Sequence, residues 1–240
     1  MKIMKLMQDV KEGKMQSAYV EAPFDEAKKS LESEGYRIIS LQENAKLRMQ
    51  EGKDAYVSRN GNWTKEGVIY VPKKGVFLTR NSPIMKSPVK ATNCYRNGKE
   101  FYLTNEQVEK SLVDSVQLSV KAIPTDRLGE SDIGAFAFGD DAKSYGEFLK
   151  KAGIEAMPIY LIDMQDKPFA RQMWFGDLGS RSGLYGSDGG LGCDYRMRGV
   201  RDGKADPQKI LAYTPEQIKD ALNKANLSGI EKLLFDKLNK

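Results

Sequence analysis

Histidine is absent from this 240-residue chain. That removes Ser-His-Asp and Cys-His catalysis, His-ligated zinc and haem, and the usual general base near neutral pH. Carboxylates, Lys and Tyr remain for acid–base work. Cysteine is scarce too: Cys94 and Cys193 make no disulfide framework. Long apolar runs are missing, and the first residues, Met1-Lys2-Ile3-Met4-Lys5-Leu6-Met7-Gln8-Asp9, carry a charge every few positions. This pattern fits neither a secretory leader nor a membrane span. The expectation is a chain made in the cytoplasm, with no anchor of its own and display on a surface left open. No low-complexity tail and no internal repeat stands out.

What is present is ordinary for a globular protein, with 40% hydrophobic and 30% charged residues and a net charge of +5. Lysines are scattered among glutamates, which reads as a mixed solvated surface rather than a specific nucleic-acid footprint. Helix signals begin at Pro23, where Phe24, Ala27 and Leu31 share a face and Gly35 closes the segment. Thr104-Asn105-Glu106-Gln107 is a capping box, as is Thr214-Pro215-Glu216-Gln217. Residues 140–152 carry Tyr145, Phe148 and Leu149 on one side, and a last helix holds Ile230, Leu233, Leu234 and Leu238. Short runs at 36–41, 68–72, 76–79, 100–103, 118–123, 135–138, 158–162 and 170–175 read as strands. Helices and strands mix without steady βαβ alternation, so the class is α+β. The expected organisation is one domain over 1–205 and a helical extension over 206–240 packed on it.

One stretch differs from the rest by what it lacks. Residues 176–195 contain no Lys, Glu, Gln, Met or Trp, and seven of the twenty are glycine. Those five types make up about a quarter of the chain, so the break has a chance on the order of one in several hundred. A codon ending in a pyrimidine encodes none of the five, yet it encodes Gly, Asp, Ser, Tyr, Leu, Arg and Cys. Asparagine codons whose two adenines have been replaced are one source of such a set. Large apolar residues punctuate the region: Trp174, Phe175, Leu178, Leu184, Leu191, Met197 and Val200. A loop held by apolar anchors stays folded while the side chains between them change. Tyr, Ser, Gly and Asp also suit adaptable contact surfaces.

Ala170-Arg171-Gln172-Met173-Trp174-Phe175, the varied stretch, and Arg196-Met197-Arg198-Gly199-Val200 resemble the variable region of diversity-generating retroelement proteins, in their archaeal branch. In that family a reverse transcriptase copies a template repeat with errors at adenines, and the copy replaces the variable repeat of the target gene. The resemblance implies a C-type lectin fold of the formylglycine-generating-enzyme-like form, with varied side chains on a solvent-facing surface. It implies that Trp174, Phe175, Leu178, Ser182, Leu184, Gly186, Leu191, Arg196, Arg198, Gly199 and Val200 are scaffold. Gly176, Asp177, Gly179, Ser180, Gly183, Tyr185, Ser187, Asp188, Gly190, Gly192, Cys193, Asp194 and Tyr195 are the implied variable, ligand-contacting set, and Arg181 and Gly189 fit either group. The ligand is a protein or surface ligand of unspecified kind, with no cofactor and no metal.

Other readings of the same residues are blander. Gly189 to Tyr195 matches the start of a calcium-binding nonapeptide, but Arg196 stands where a large apolar residue belongs and there is one copy. The glycines lack the strand–loop–helix context and the Gly-Lys-Ser/Thr of a phosphate loop. Asp140-Asp141 reads as helix capping and Trp63 as a turn-edge packing residue. The competing functional reading is an enzyme with a carboxylate or metal-dependent active-site loop around Asp177, Asp188 and Asp194.

Overall fold

Strand β3 (Asn62–Val71) pairs with three other strands inside the sheet, and its sequence suits that place. Val68, Ile69, Tyr70 and Val71 are all buried, with successive side chains going to opposite faces of the sheet. Val68 and Tyr70 join one apolar cluster, while Ile69 and Val71 join another. A strand covered on both sides reads as a continuous apolar run rather than an alternating one. The structure, a computed structural model, describes residues 15–179, 182–187 and 190–202.

In chain order the elements before β3 are β1 (Met15–Ala22), α1 (Phe24–Ser33), β2 (Arg37–Ile38), α2 (Leu41–Glu51) and the short α3 (Tyr56–Arg59). After it come β4 (Gly75–Thr79), α4 (Pro83–Lys86), α5 (Pro88–Arg96), β5 (Phe101–Tyr102), α6 (Asn105–Leu112), β6 (Ser115–Gln117) and β7 (Ala122–Pro124). The last described are α7 (Asp132–Phe138), α8 (Ala142–Lys151), β8 (Ala156–Tyr160), β9 (Phe169–Phe175), β10 (Leu184–Tyr185) and β11 (Tyr195–Asp202). The sheet runs β1-β11-β3-β9-β10-β8-β7, with β2, β4, β5 and β6 off this path. β3 pairs antiparallel with β4 and β9 and parallel with β11. Helices α7 and α8 cover one face through Phe138, Tyr145 and Leu149, and α1 and α5 cover the other through Phe24, Ala27, Leu31 and Ala91. The result is α+β, as the sequence indicates. The chain divides into units Met1–Arg201 and Asp202–Lys240. The expected helices of the second unit lie outside the described residues. No helix among the described residues is long and apolar enough to cross a membrane.

The β3–β9 ladder is interrupted between Trp63 and Gly67. Gln172 of β9 fills the interruption from a fully buried position: its Nε2 donates to the carbonyls of Thr64 (2.6 Å) and Glu66 (2.7 Å), and its Oε1 accepts from Ser82 Oγ (2.8 Å). Main-chain carbonyls that the ladder leaves unpaired inside the protein are thereby satisfied. Glu66 itself turns to α2, where its Oε2 accepts from the N–H of Leu41 (3.1 Å) at the helix start. Next to it, Ser40 and Glu43 form a reciprocal capping box.

Several local expectations are corrected. Residues 135–138 are not a strand but the end of α7, which starts at Ser131 with its hydroxyl accepting from Gly134 N. Ile133, Ala137 and Phe138 are buried at helical spacing, and a four-residue apolar run cannot distinguish the two periods. The run 118–123 is strand only from Ala122, and 36–41 only at Arg37–Ile38, because Ser40 begins α2. Asp141 precedes α8 without capping it; its carboxylate accepts from Gln42 Nε2 (2.6 Å) and pairs with Lys46 (3.2 Å). Trp63 is a packing residue, but within β3 at the centre of a cluster rather than at a turn edge.

Burial pushes the Glu66 carboxyl from an ordinary 4.5 up to about 7, against the hydrogen bonds it accepts, which favour its charged form. The folded protein therefore holds this proton more tightly than the unfolded chain, and stability is lost as pH rises from about 4.5 through about 7, amounting to about 3 kcal/mol above that range. Glu66→Gln keeps the shape and removes the titration. Urea midpoints at pH 5 and pH 8 should fall more for the parent than for the variant across this interval. Parallel profiles would show that Glu66 is already ionised in the folded protein at pH 5.

Candidate binding surface

The segment from Gly176 to Asp194 links β9 to β11, and main-chain atoms hold most of it in place. It leaves β9 in a loop closed by Gly176 N–H to Gly183 O (2.9 Å) and Ser182 N–H to Asp177 O (2.6 Å). Leu178 N–H donates to Ser58 O of α3 (2.7 Å). The chain returns as β10, with Leu184 opposite Phe175 and beside Ile159, and Tyr185 opposite Trp174 and beside Tyr160. Gly186 N–H then donates to Tyr160 O (2.9 Å), and its carbonyl accepts from Tyr70 Oη (3.1 Å). Burial pushes the Tyr70 phenol up to about 12, so it remains a donor across the physiological range.

Further along, the carbonyl of Ser187 accepts from the Arg171 guanidinium, which also forms a two-point pair with Glu100. Both partners are largely enclosed, with side chains 12% and 13% exposed. Tyr95 completes the support, its Oη lying 2.6 Å from the Ala170 carbonyl and 3.0 Å from Glu100. Burial and the neighbouring Glu100 carboxylate raise its phenol well above the ordinary value. A single turn at Gly190–Gly192 then closes with Cys193 N–H to Gly190 O (2.9 Å) and lowers Leu191 into the cluster around Trp63 and Met197.

The apolar punctuation of the sequence corresponds to burial. Phe175, Leu184, Leu191, Met197 and Val200 are fully buried, while Trp174 and Leu178 are partly so. Ser182 is buried with φ of +37°, its hydroxyl 3.3 Å from Tyr145 Oη, which in turn accepts from Arg48 (3.3 Å). Arg48 is itself enclosed and lies 4.0 Å over the Phe175 ring. Arg196 lies over the rings of Tyr19 and Tyr56 and donates to Gly61 O (3.2 Å).

The residues expected at the surface divide into three groups. Gly179, Cys193, Asp194 and Tyr195 are exposed, and Asp177, Tyr185, Ser187, Gly190 and Gly192 are partly so. Gly176 and Gly183 are buried and turn inward. Ser180 and Asp188, with Arg181 and Gly189, lie outside the described residues. The Asp177 carboxylate accepts from Gly179 N–H (2.8 Å), a local turn bond. Cys94 and Cys193 are both free. Among the described residues no three of Cys, Asp and Glu group as a metal cage.

Sequence reasoning missed the fixed residues that border this segment. Tyr160 stacks on Tyr185 at 4.5 Å between centroids. Tyr56 is 37% exposed beside Arg196. Leu178 and Gly179 edge an open cleft of about 480 Å³ with Lys53, Asp54, Arg59 and Ala152. These positions are brought in from α3, β8 and the end of α8 by the topology, and no local pattern marks them.

No family model matches the chain, and no curated protein matches it. A solved structure described as "Accommodation of massive sequence variation in Nanoarchaeota by the C-type lectin fold" superposes with a TM-score of 0.60 at 18% sequence identity, over 80% of this chain and 100% of that one. The chain therefore has a C-type lectin fold.

The separation of anchors from displayed positions has a direct energetic consequence. Leu191→Ala should cost about 2–5 kcal/mol, the range for emptying a filled core site. Ser187→Ala should cost within about 0.5 kcal/mol, because the contact at 187 is made by the carbonyl. Chemical denaturation of the two variants checks this, and similar losses would contradict the division.

Proposed function

We propose that this chain is a ligand-binding protein whose 176–195 surface is diversified by a retroelement. One observation carries the reading: the scaffold grips the segment through its main chain. Ser58, Tyr70, Tyr160 and Arg171 reach Leu178, Gly186 and Ser187 through N–H or carbonyl groups, which every residue but proline supplies in full. Side chains between the anchors can then change without loss of these contacts. The pyrimidine-ending codon set of the segment supports the same reading, as does the massive sequence variation attributed to the structural neighbour.

Function in this view is recognition. The lectin fold fixes the backbone, and displayed side chains sample partners that are proteins or surface ligands. In the copy at hand Tyr185 and Tyr195 supply most of the apolar contact area and the aspartates the charge, while the many glycines leave the remainder bare. Gly176 and Gly183 leave the set that touches a ligand, because both are buried. Asp177, Gly179, Tyr185, Ser187, Gly190, Gly192, Cys193, Asp194 and Tyr195 remain in it, and Ser180 and Asp188 are proposed with them.

Sequencing the locus across a natural population, with its flanking DNA, tests this. Substitutions should concentrate at codons 176–195 at positions where a nearby template repeat has adenine, next to a reverse transcriptase gene, and spare the codons of Leu184 and Leu191. An invariant segment without a template would overturn the proposal and return attention to the carboxylate-enzyme alternative.

A further inference from the structure

Gly176 and Gly183 face a third member of the same segment, Tyr185. A Cβ placed on Gly176 would lie 2.6 Å from Cε2 of the Tyr185 ring, and one on Gly183 would lie 3.0 Å from the same atom. Carbon atoms do not approach to 2.6 Å, so something must move for a Cβ at 176; a Cβ at 183 would also meet the Pro158 carbonyl at 3.0 Å and Tyr160 Cε2 at 3.1 Å, contacts that ask a few tenths of an ångström of give. The main chain is poorly placed to give way. Gly176 N–H is bonded to Gly183 O at 2.9 Å, and the strand that follows is paired on both sides, with β9 and with β8. The remaining neighbours of a Cβ at 176 are Gly183 N at 3.2 Å and Gly183 O at 3.3 Å, tight but tolerable contacts. The ring is the part that can yield, by turning about χ1 to another staggered position. Its present position is a slot: stacked on Tyr160 at 4.5 Å and 23°, with its Cε2 edge over the bare backbone of the two glycines.

We propose that positions 176, 183 and 185 form one specificity-determining unit, in which the two buried positions decide how Tyr185 is presented. With hydrogen at both, the phenol lies against Tyr160 and a partner meets a flat, paired aromatic face suited to an aliphatic or planar group. With a side chain at 176, the phenol leaves the slot and projects as a contact residue suited to a pocket. Two positions that touch no ligand thus change what the third offers. The geometry holds whether or not the segment is diversified; under the proposed function it makes three codons vary as one.

The test is a double-mutant cycle on the full chain with Gly176→Ala, Tyr185→Ala and the double variant, read by thermal midpoint, together with nitration of Tyr185 by tetranitromethane mapped by peptide mass spectrometry. Gly176→Ala should lower the midpoint by roughly 3–8 °C in the parent, the scale of an overpacked site in a domain of this size. The same change should lower it by less than about 2 °C when residue 185 is Ala. Tyr185 nitration should rise several-fold in the Gly176→Ala single variant. Equal midpoint losses in both backgrounds would assign the clash to the Gly183 main chain and overturn the proposal, as would an unchanged nitration rate. If the single variant does not fold, a folded double variant supports the proposal and an unfolded one overturns it. Neither readout involves a partner, so failure here and failure of the binding role are separable.

Discussion

A single buried amide, Gln172, is the contact on which the arrangement turns. It bonds two carbonyls of the interrupted stretch of β3 and one hydroxyl from α4's approach, all inside the protein. Without it the ladder between β3 and β9 would present unpaired carbonyls to an apolar interior, a penalty of roughly 1–3 kcal/mol for each. With it, the interruption becomes useful. Trp63, at its near edge, stands beneath Trp174 and Tyr195, and Glu66, within it, meets the start of α2. The same strand that carries Gln172 carries Arg171, which holds the segment at Ser187, and Phe175, where the segment begins. Core and candidate surface are thus set by adjacent residues of one strand.

Much of this was legible in the sequence where a local signal and the tertiary outcome agree. The capping box at Thr104–Gln107 is a capping box in the structure, and α1 begins directly after Pro23 with Phe24, Ala27 and Leu31 buried. Where the outcome depends on distant partners, the sequence was silent or misleading. Within the apolar run Ala135 to Phe138, α7 buries Ala137 and Phe138 and leaves Ala135 exposed, and nothing local says that the period is 3.6 rather than 2. Leu41 looks like the end of a strand until Ser40 is seen to cap with Glu43. Strand β1 was not recognised at all: the partner that Met15 to Ala22 pairs with, β11, lies far along the chain.

The candidate surface was legible in its punctuation and not in its depth. Large apolar residues at 175, 184, 191, 197 and 200 can only be anchors in a Gly-rich segment, and each is fully buried. Glycine carries the opposite ambiguity, since it marks both an exposed flexible loop and a point where nothing larger fits. Gly179 is of the first kind and Gly176 and Gly183 of the second, a distinction that depends on where Tyr160 and Tyr185 lie. Tyr56, Tyr160 and Arg59 border the segment from other elements, so no reading of residues 170–200 alone could include them.

The grip on the main chain also limits the vocabulary open to the segment. Codons ending in a pyrimidine include those for proline, the one residue with no N–H to give. The N–H groups of residues 176, 193 and 195 are all engaged, whereas residue 187 is held through its carbonyl. Proline at any of the first three would remove a hydrogen bond from the loop it enters, but at 187 it would spare the carbonyl bond to Arg171. Under the proposed diversification, a repertoire drawn on this scaffold would be filtered by backbone chemistry before any ligand is met, and the filter would differ from one position to the next.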